Sequence, residues 1–374
     1  MINNKKYRIF ICATEQSGDN IGSSIISELL KKNYNIIFDG VGGNKMSPYL
    51  TNQYFSIKDF NSMGIIEILF SLTKYIKMIK LLTKRILQNH YHLVITIDSP
   101  DFNYPLIKKL RKKQYKQKII HVVAPSVWAW RSGRAKKFSK IYDELLVLFK
   151  FEIKYFEQFN LKTSFIGHPI YYINKNSKNI DNNSMIAFLP GSRLSELNKL
   201  FPYFHTAYEY LLEFHPNIDI FIPTLPHLKK FIDNFVKNWK IKPIISVDPK
   251  KIEEIYANCN KALVCSGTAS LEIAKRNIPQ LVIYKLNFIT EILAKNFINV
   301  KYASIINIIN NKMIIPEITN SKLNKKILLT QFIKLMSDNH SNNIQIKNIN
   351  NTLKNINLEQ PPYTLAADRI ASYL

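Results

Sequence analysis

The sequence predicts an α/β protein of two Rossmann-like, doubly wound domains facing one cleft, and three observations carry that expectation. Short β-rich runs alternate with amphipathic stretches from residue 8 to residue 149. A polar, aperiodic tract at 174–184 interrupts the pattern. The alternation then restarts at Met185 and continues to Tyr284. A parallel strand pair needs a long crossover, and a helix supplies one with its backbone hydrogen bonds satisfied, so this alternation implies parallel sheets covered on both faces. A chain of 374 residues with 46% apolar content suits two domains, each with its own core.

In order, Arg8–Ala13 is a compact apolar run and reads as a strand, followed by a helix over 20–32. Asn35–Val41, His92–Ile97, Lys118–Val123 and Glu144–Phe149 read as further strands on the same grounds. Asn and Ser crowd the tract 174–184, which reads as an interdomain linker. Beyond it come strand Met185–Leu189, helix 195–214, strand Ile218–Ile222, helix 227–238 and strand Pro243–Val247. Helix 250–258, strand Ala262–Cys265, helix 269–276 and strand Gln280–Tyr284 complete the series. The Asn/Lys-rich tract 338–357 shows little pattern, whereas 363–374 recovers a helical period. The domains are therefore expected at 1–170 and 185–350.

The formal charge of +25 points to anionic partners: nucleic acid, phosphorylated sugars or an acidic membrane surface. A solvated lysine-rich face in a chain also rich in Asn and Ile explains much of it equally well. Cys12, Cys259 and Cys265 are odd in number and widely spaced, which argues against a disulfide framework or zinc ribbon and suits a reducing cytosol. The apolar run Ile9–Ala13 is too short for a signal peptide, and no segment has the length of a membrane span, so lipid would be handled from the surface.

Three strand-to-helix turns have chemical character, and ligands of parallel sheets gather beyond the carboxyl ends of strands. Ser266-Gly267-Thr268 follows an apolar strand with small residues whose amides can approach a diphosphate, and Glu272 lies one helical turn past Thr268, where it can accept ribose hydroxyls. A plain helix cap is the alternative. In Gly191-Ser192-Arg193 the glycine permits close approach and the arginine offers a fork of donors to a departing phosphate, unless it simply pairs with Glu196. Asp98 and Asp101 sit three apart after a buried strand. Either serves as a general base if its surroundings raise its pKa, or as a turn former or helix cap. No Asp-x-Asp or His-Glu-x-x-His pattern occurs, so neither a metal nor a cofactor is expected.

Two of the three tryptophans fall within Pro125-Ser126-Val127-Trp128-Ala129-Trp130-Arg131. Indole combines a large apolar body with one polar N–H, which suits a surface meeting something half apolar and half polar, or a wedge in a core. With the basic stretch that follows and Phe165-Ile166-Gly167-His168-Pro169, this segment resembles the lipid-A-disaccharide synthases, and the resemblance runs through most of the chain. It implies an inverting glycosyltransferase of the GT-B type, free of metal and cofactor, that joins UDP-2,3-diacylglucosamine to 2,3-diacylglucosamine 1-phosphate (lipid X). It further implies Asp98 as base, Arg193 on the leaving diphosphate, and a C-terminal helix at 358–374 packing back on the first domain. By the same resemblance Glu15 and Ser17 floor the cleft, although Thr14 stands where the family has glycine. Gly191, Ser192, Ser266, Gly267, Thr268, Glu272 and Asn307 face the nucleotide, with Asn320 in place of an expected glutamine. Trp128, Trp130 and Arg131 are counted with the substrate-binding residues, and His168 reads as a hinge or cleft residue.

The stretch 63–85 is apolar on more than one face with interspersed lysines, as in a helix lying in a membrane interface or one buried on a sheet. The resemblance makes Met63, Ile65, Ile66, Leu69 and Phe70, with Phe60, the lipid-facing surface, and sets Lys74, Lys77, Arg131 and Arg134 near phosphates. Peripheral attachment to the cytoplasmic face of the inner membrane follows, with no nucleic acid as partner. The alternatives are another UDP-GlcNAc-handling enzyme of the same fold, a 2-epimerase or a peptidoglycan glycosyltransferase, and a basic nucleic-acid-binding protein, whose recognisable motifs the chain lacks.

Overall fold

A computed structural model describes residues 6–32, 34–60, 65–174, 185–285, 301–354, 356 and 360–374; of 65–72 and 321 it describes the backbone only. Met63 and most of the expected linker, 175–184, lie outside the described residues. The chain divides into two compact units, Met1–Tyr171 with Leu358–Leu374, and Tyr172–Asn357.

The first unit contains strands β1 (Lys6–Ala13), β2 (Asn35–Gly42), β3 (Leu50–Ser56), β4 (Leu93–Ile97), β5 (Lys118–Val122), β6 (Glu144–Val147) and β7 (Lys162–Phe165), all parallel, in the order β3-β2-β1-β4-β5-β6-β7. The second contains β8 (Met185–Leu189), β9 (Asp219–Pro223), β10 (Ile244–Ser246), β11 (Cys259–Cys265), β12 (Gln280–Tyr284) and β13 (Glu317–Thr319), again parallel, in the order β10-β9-β8-β11-β12-β13. The central strands β4 and β8 are buried throughout, as sheets covered on both faces require. Strand order reverses between β1 and β4 in one sheet and between β8 and β11 in the other. At such a switch point the two following helices go to opposite faces, and a crevice opens beyond the strand ends.

Most of the expected elements are present with ends shifted by a few residues. Strands β3, β7 and β13 were not anticipated, and each lies at an edge of its sheet. An edge strand has one neighbour and need not be apolar, so Leu50–Ser56 and Lys162–Phe165 carry too few apolar residues to stand out. The patternless tract 338–357 is also corrected: Asn339–Lys354 is a helix. It buries Ile349 and Leu353 but also Asn342, Gln345 and Thr352, whose side chains bond to backbone or to one another's neighbours, as in the exchange between Gln345 and the main chain of Gln280. A polar inward stripe hides the helical period from a hydrophobicity count.

The C-terminal helix Pro362–Ala371 belongs to the first unit and is tied to it by charge. The wholly buried Glu144 of β6 pairs with Arg369 at 2.6 Å and accepts from Ser164 and Tyr373, while Lys32 pairs with Asp368. These bonds hold the Glu144 carboxyl below its ordinary value against the burial that raises it. Among the described residues no helix is long and apolar enough to cross a membrane.

Candidate active site

In the first unit the switch point brings the β1 and β4 turns together. Strand β4 ends at Ile97, and Asp98 and Ser99 both take left-handed backbone angles, φ 52° and 46°. Two successive non-glycine residues in that region are uncommon and need support. Asn103, fully buried one turn into the helix Pro100–Lys112, gives it: its Nδ2 donates to the carbonyls of Asp98 (2.7 Å) and Ile97 (3.3 Å). The Asp98 amide donates to Val122 on β5. The half-buried Asp98 carboxylate accepts from the Ser99 amide at 2.8 Å and from Ser17 Oγ at 3.3 Å. Ser17 lies in the first turn of helix Gln16–Leu30, and Glu15 and Ser17 are exposed. Asp19 beneath them is buried and accepts from the amides of Gly43, Lys45 and Met46, pinning the turn after β2.

The tryptophan segment follows β5 at the same edge of the sheet. Trp128 is half-buried against Phe151, and its Nε1 donates to Glu152 Oε1 at 3.3 Å. Burial pushes the Glu152 carboxyl up to about 7. Trp130 is 42% exposed. His168 is buried, held neutral by burial with its pKa near 4, stacks on Phe149, and accepts the Ile170 amide at Nδ1. That makes it a support for the turn just before the unit boundary. Phe60 is a correction: it is buried against Tyr75 and Phe102 rather than offered as part of an apolar collar. Lys74 is turned to the carbonyl of Asp59. The side chains of Ile65, Ile66, Leu69 and Phe70 lie outside the described residues, although their backbone is helical.

In the second unit, register pairs Leu189 with Val264, so the turns after β8 and β11 start side by side. Gly191 (φ 122°) and Gly267 (φ 147°) adopt angles that L side chains rarely take, and a Cβ on Gly191 would lie 2.5 Å from Glu196 Oε2. That carboxylate accepts the amides of Ser192 (3.0 Å) and Arg193 (3.2 Å), opening helix Leu194–Phe214. The Arg193 side chain is 71% exposed, with Glu196 Oε1 at 3.7 Å. Pairing with Glu196 is therefore present but loose, and most of the guanidinium donors remain open to an anion.

The helix Thr268–Lys275 begins at Gly267 without a side-chain cap, so its first amides have no internal acceptor. Gly267 and Thr268 are exposed, and Ser266 Oγ is anchored on the carbonyl of Ala303 at 3.0 Å. Glu272, half-buried on this helix, has its pKa raised by burial and by Glu253, with Arg276 opposing. Arg276 is itself wholly buried, paired with Glu253 and stacked on Tyr256.

Asn307 is a correction. It is fully buried and its amide is saturated: Nδ2 donates to Ile315 O and Glu317 Oε2, and Oδ1 accepts the amides of Ile314 and Ile315. Glu317 in turn accepts the amides of Ala303 and Ser304. Asn307 thus braces the 303–317 segment that holds Ser266, and cannot also meet a nucleotide. Replacing it with alanine leaves buried amides unpaired and is expected to lower unfolding free energy by about 1–3 kcal/mol, measured by urea denaturation. Asn103 and Glu317 went unassigned in the sequence, and Glu196 was read there only as a partner of Arg193, because each also acts through bonds to backbone, which no side-chain pattern displays. Among the described residues no group of three His, Cys, Asp or Glu side chains is placed to hold a metal ion.

Among solved structures, the chain is similar to S. aureus MnaA with UDP (14% identical, TM-score 0.62, covering 98% of this chain and 95% of that one). It is also similar to Acinetobacter baumannii MurG (12%, TM-score 0.57, 98% and 100%). At such identities the likeness concerns the fold, which is that of two-domain GT-B enzymes. Sequence relatives go further. The lipid-A-disaccharide synthase of Rickettsia typhi is 34% identical over 98% of this chain and 97% of its own length. That of Rhodospirillum centenum is 29% identical over 99% and 95%. Residues 9–368 match the family model described as lipid-A-disaccharide synthetase. The chain therefore belongs to the lipid-A-disaccharide synthetase family, and is a glycosyltransferase of lipid A disaccharide synthesis.

Proposed function

We propose that the chain transfers 2,3-diacylglucosamine from its UDP conjugate to the 6-hydroxyl of 2,3-diacylglucosamine 1-phosphate, with inversion and without a metal. The observation that carries this reading is Asp98: a partly open carboxylate at the switch point of the first sheet, oriented by Ser17 and Ser99, in a chain matched to the family over residues 9–368. Asp98 takes the proton of the acceptor hydroxyl as its oxygen bonds to the anomeric carbon. The bond from that carbon to the diphosphate breaks with its electron pair, and UDP leaves. Arg193 and the open amides of 267–268 hold the diphosphate as its charge grows, because fixed donors need no reorganisation during the step. Glu272 receives the ribose hydroxyls, and Trp128 lines the acceptor side.

The helix beginning at Ile65 rests on the cytoplasmic face of the inner membrane, where both acylated substrates reside. In the test, purified protein is given both substrates with and without EDTA, and products are identified by mass. Disaccharide 1-phosphate and UDP in equal amounts are expected in either case. Absence of disaccharide from the wild type overturns the reading, and loss with EDTA alone overturns only its metal-free part.

A further inference from the structure

The segment after β5 contains a cluster to which the transfer step gives no role, although the family resemblance counts Trp130 and Arg131 with the substrate-binding residues and sets Arg131 and Arg134 near phosphates without saying which phosphate or how it is held. Trp130 exposes its ring, and the guanidinium carbon of Arg131 lies 4.1 Å and that of Arg134 5.6 Å from its centroid. Arg131 holds a left-handed backbone angle, φ 52°. Both arginines converge on one carboxylate: Asp101 Oδ1 pairs with Arg134 and lies 3.7 Å from Arg131 Nη1. Asp101 is 77% exposed and sits in the first turn of the helix that follows Asp98. An exposed carboxylate bridging two arginines over an indole is a weak partner, since water screens it. A phosphate monoester has more charge and three oxygens, and it fits two guanidinium forks better than a single carboxylate oxygen does. The indole face beside it suits the apolar rim of a sugar or an acyl stem.

We propose that Arg131 and Arg134, stacked on Trp130 and bridged by Asp101, form the seat for the phosphate monoester of the acceptor, with Asp101 as the stand-in that the phosphate displaces. This rests on the acceptor reading above and adds which residues recognise its phosphate. It places the charged end of the acceptor beside the first turn of the helix that follows Asp98.

The test compares wild type, Arg131→Gln, Arg134→Gln and Asp101→Asn with two acceptors, diacylglucosamine with and without its 1-phosphate. Each arginine variant is expected to raise KM for the phosphorylated acceptor about 10-fold or more, the worth of a charge-assisted pair, leaving kcat and donor KM near wild type. On the acceptor lacking phosphate these variants should match wild type, and Asp101→Asn should lower KM for the phosphorylated acceptor. Calorimetry with glucosamine 1-phosphate, set against unphosphorylated glucosamine, is expected to show binding that both arginine variants lose. If the variants keep the wild-type preference for phosphate, the seat lies elsewhere and the inference falls while the transfer reading stands. If they lose binding to phosphatidic acid vesicles but retain glucosamine 1-phosphate, the cluster reads a lipid surface and the inference falls too. If wild type makes no disaccharide, the transfer reading falls, and calorimetry alone decides whether the phosphate seat exists.

Discussion

Asp98→Asn is expected to lower kcat for disaccharide formation by about 10²–10⁴-fold while leaving UDP affinity unchanged, the range for loss of a general base. Asparagine is the informative replacement because Asp98 stands at φ 52°, a region that asparagine tolerates and alanine does not favour. The amide oxygen can still accept from the Ser99 amide, and the Nδ2 in place of the second oxygen donates to Ser17 Oγ, which turns from donor to acceptor, so the strained turn braced by Asn103 survives and proton acceptance is lost. Steady-state kinetics with calorimetric UDP binding make the check. A fall smaller than about 10-fold, well under the usual contribution of a base, would move that role to another acid and leave Asp98 a turn residue.

Arg193→Ala is the second large expectation, a loss of kcat of about 10²–10³-fold, the scale measured when one donor to a developing anion is removed. The fold should not notice. Arg193 is mostly in solvent, and a loose exposed contact to Glu196 contributes about 0–1 kcal/mol, so thermal stability should stay near wild type. Arg193→Lys should recover only part of the rate, because an ammonium cannot present the planar fork that a diphosphate engages. An alanine variant with near-normal kcat but weakened UDP binding would mean that Arg193 grips the diphosphate equally before and during transfer.

These expectations rest on features that differ in how visible they are in the sequence. The two sheets were legible because their inner strands are buried on both faces and read as near-continuous apolar runs, as in Leu93–Ile97, interrupted only by Thr96, and Met185–Leu189. The turns after β1, β4, β8 and β11 were legible for the same reason: a reader who finds the strand finds its carboxyl end. Edge strands and the helix Asn339–Lys354 were less so, since one lacks a second neighbour and the other turns amides inward. Asn307 shows the limit more sharply. An asparagine near a site looks the same in sequence whether its amide faces a ligand or is saturated by Ile314, Ile315 and Glu317.

What the sequence determined by itself was the class of fold and the family, because apolar periodicity and local motifs are properties of neighbours along the chain. Tertiary structure alone decided which polar groups are open to a ligand. It set Asn103 under Asp98, Glu196 on the amides after Gly191, and Asp101 between two arginines over Trp130. A hydrogen bond or ion pair depends on distance and direction in space, and residues such as Asp101 and Arg134 become partners only when parallel strands bring their turns to one edge of a sheet.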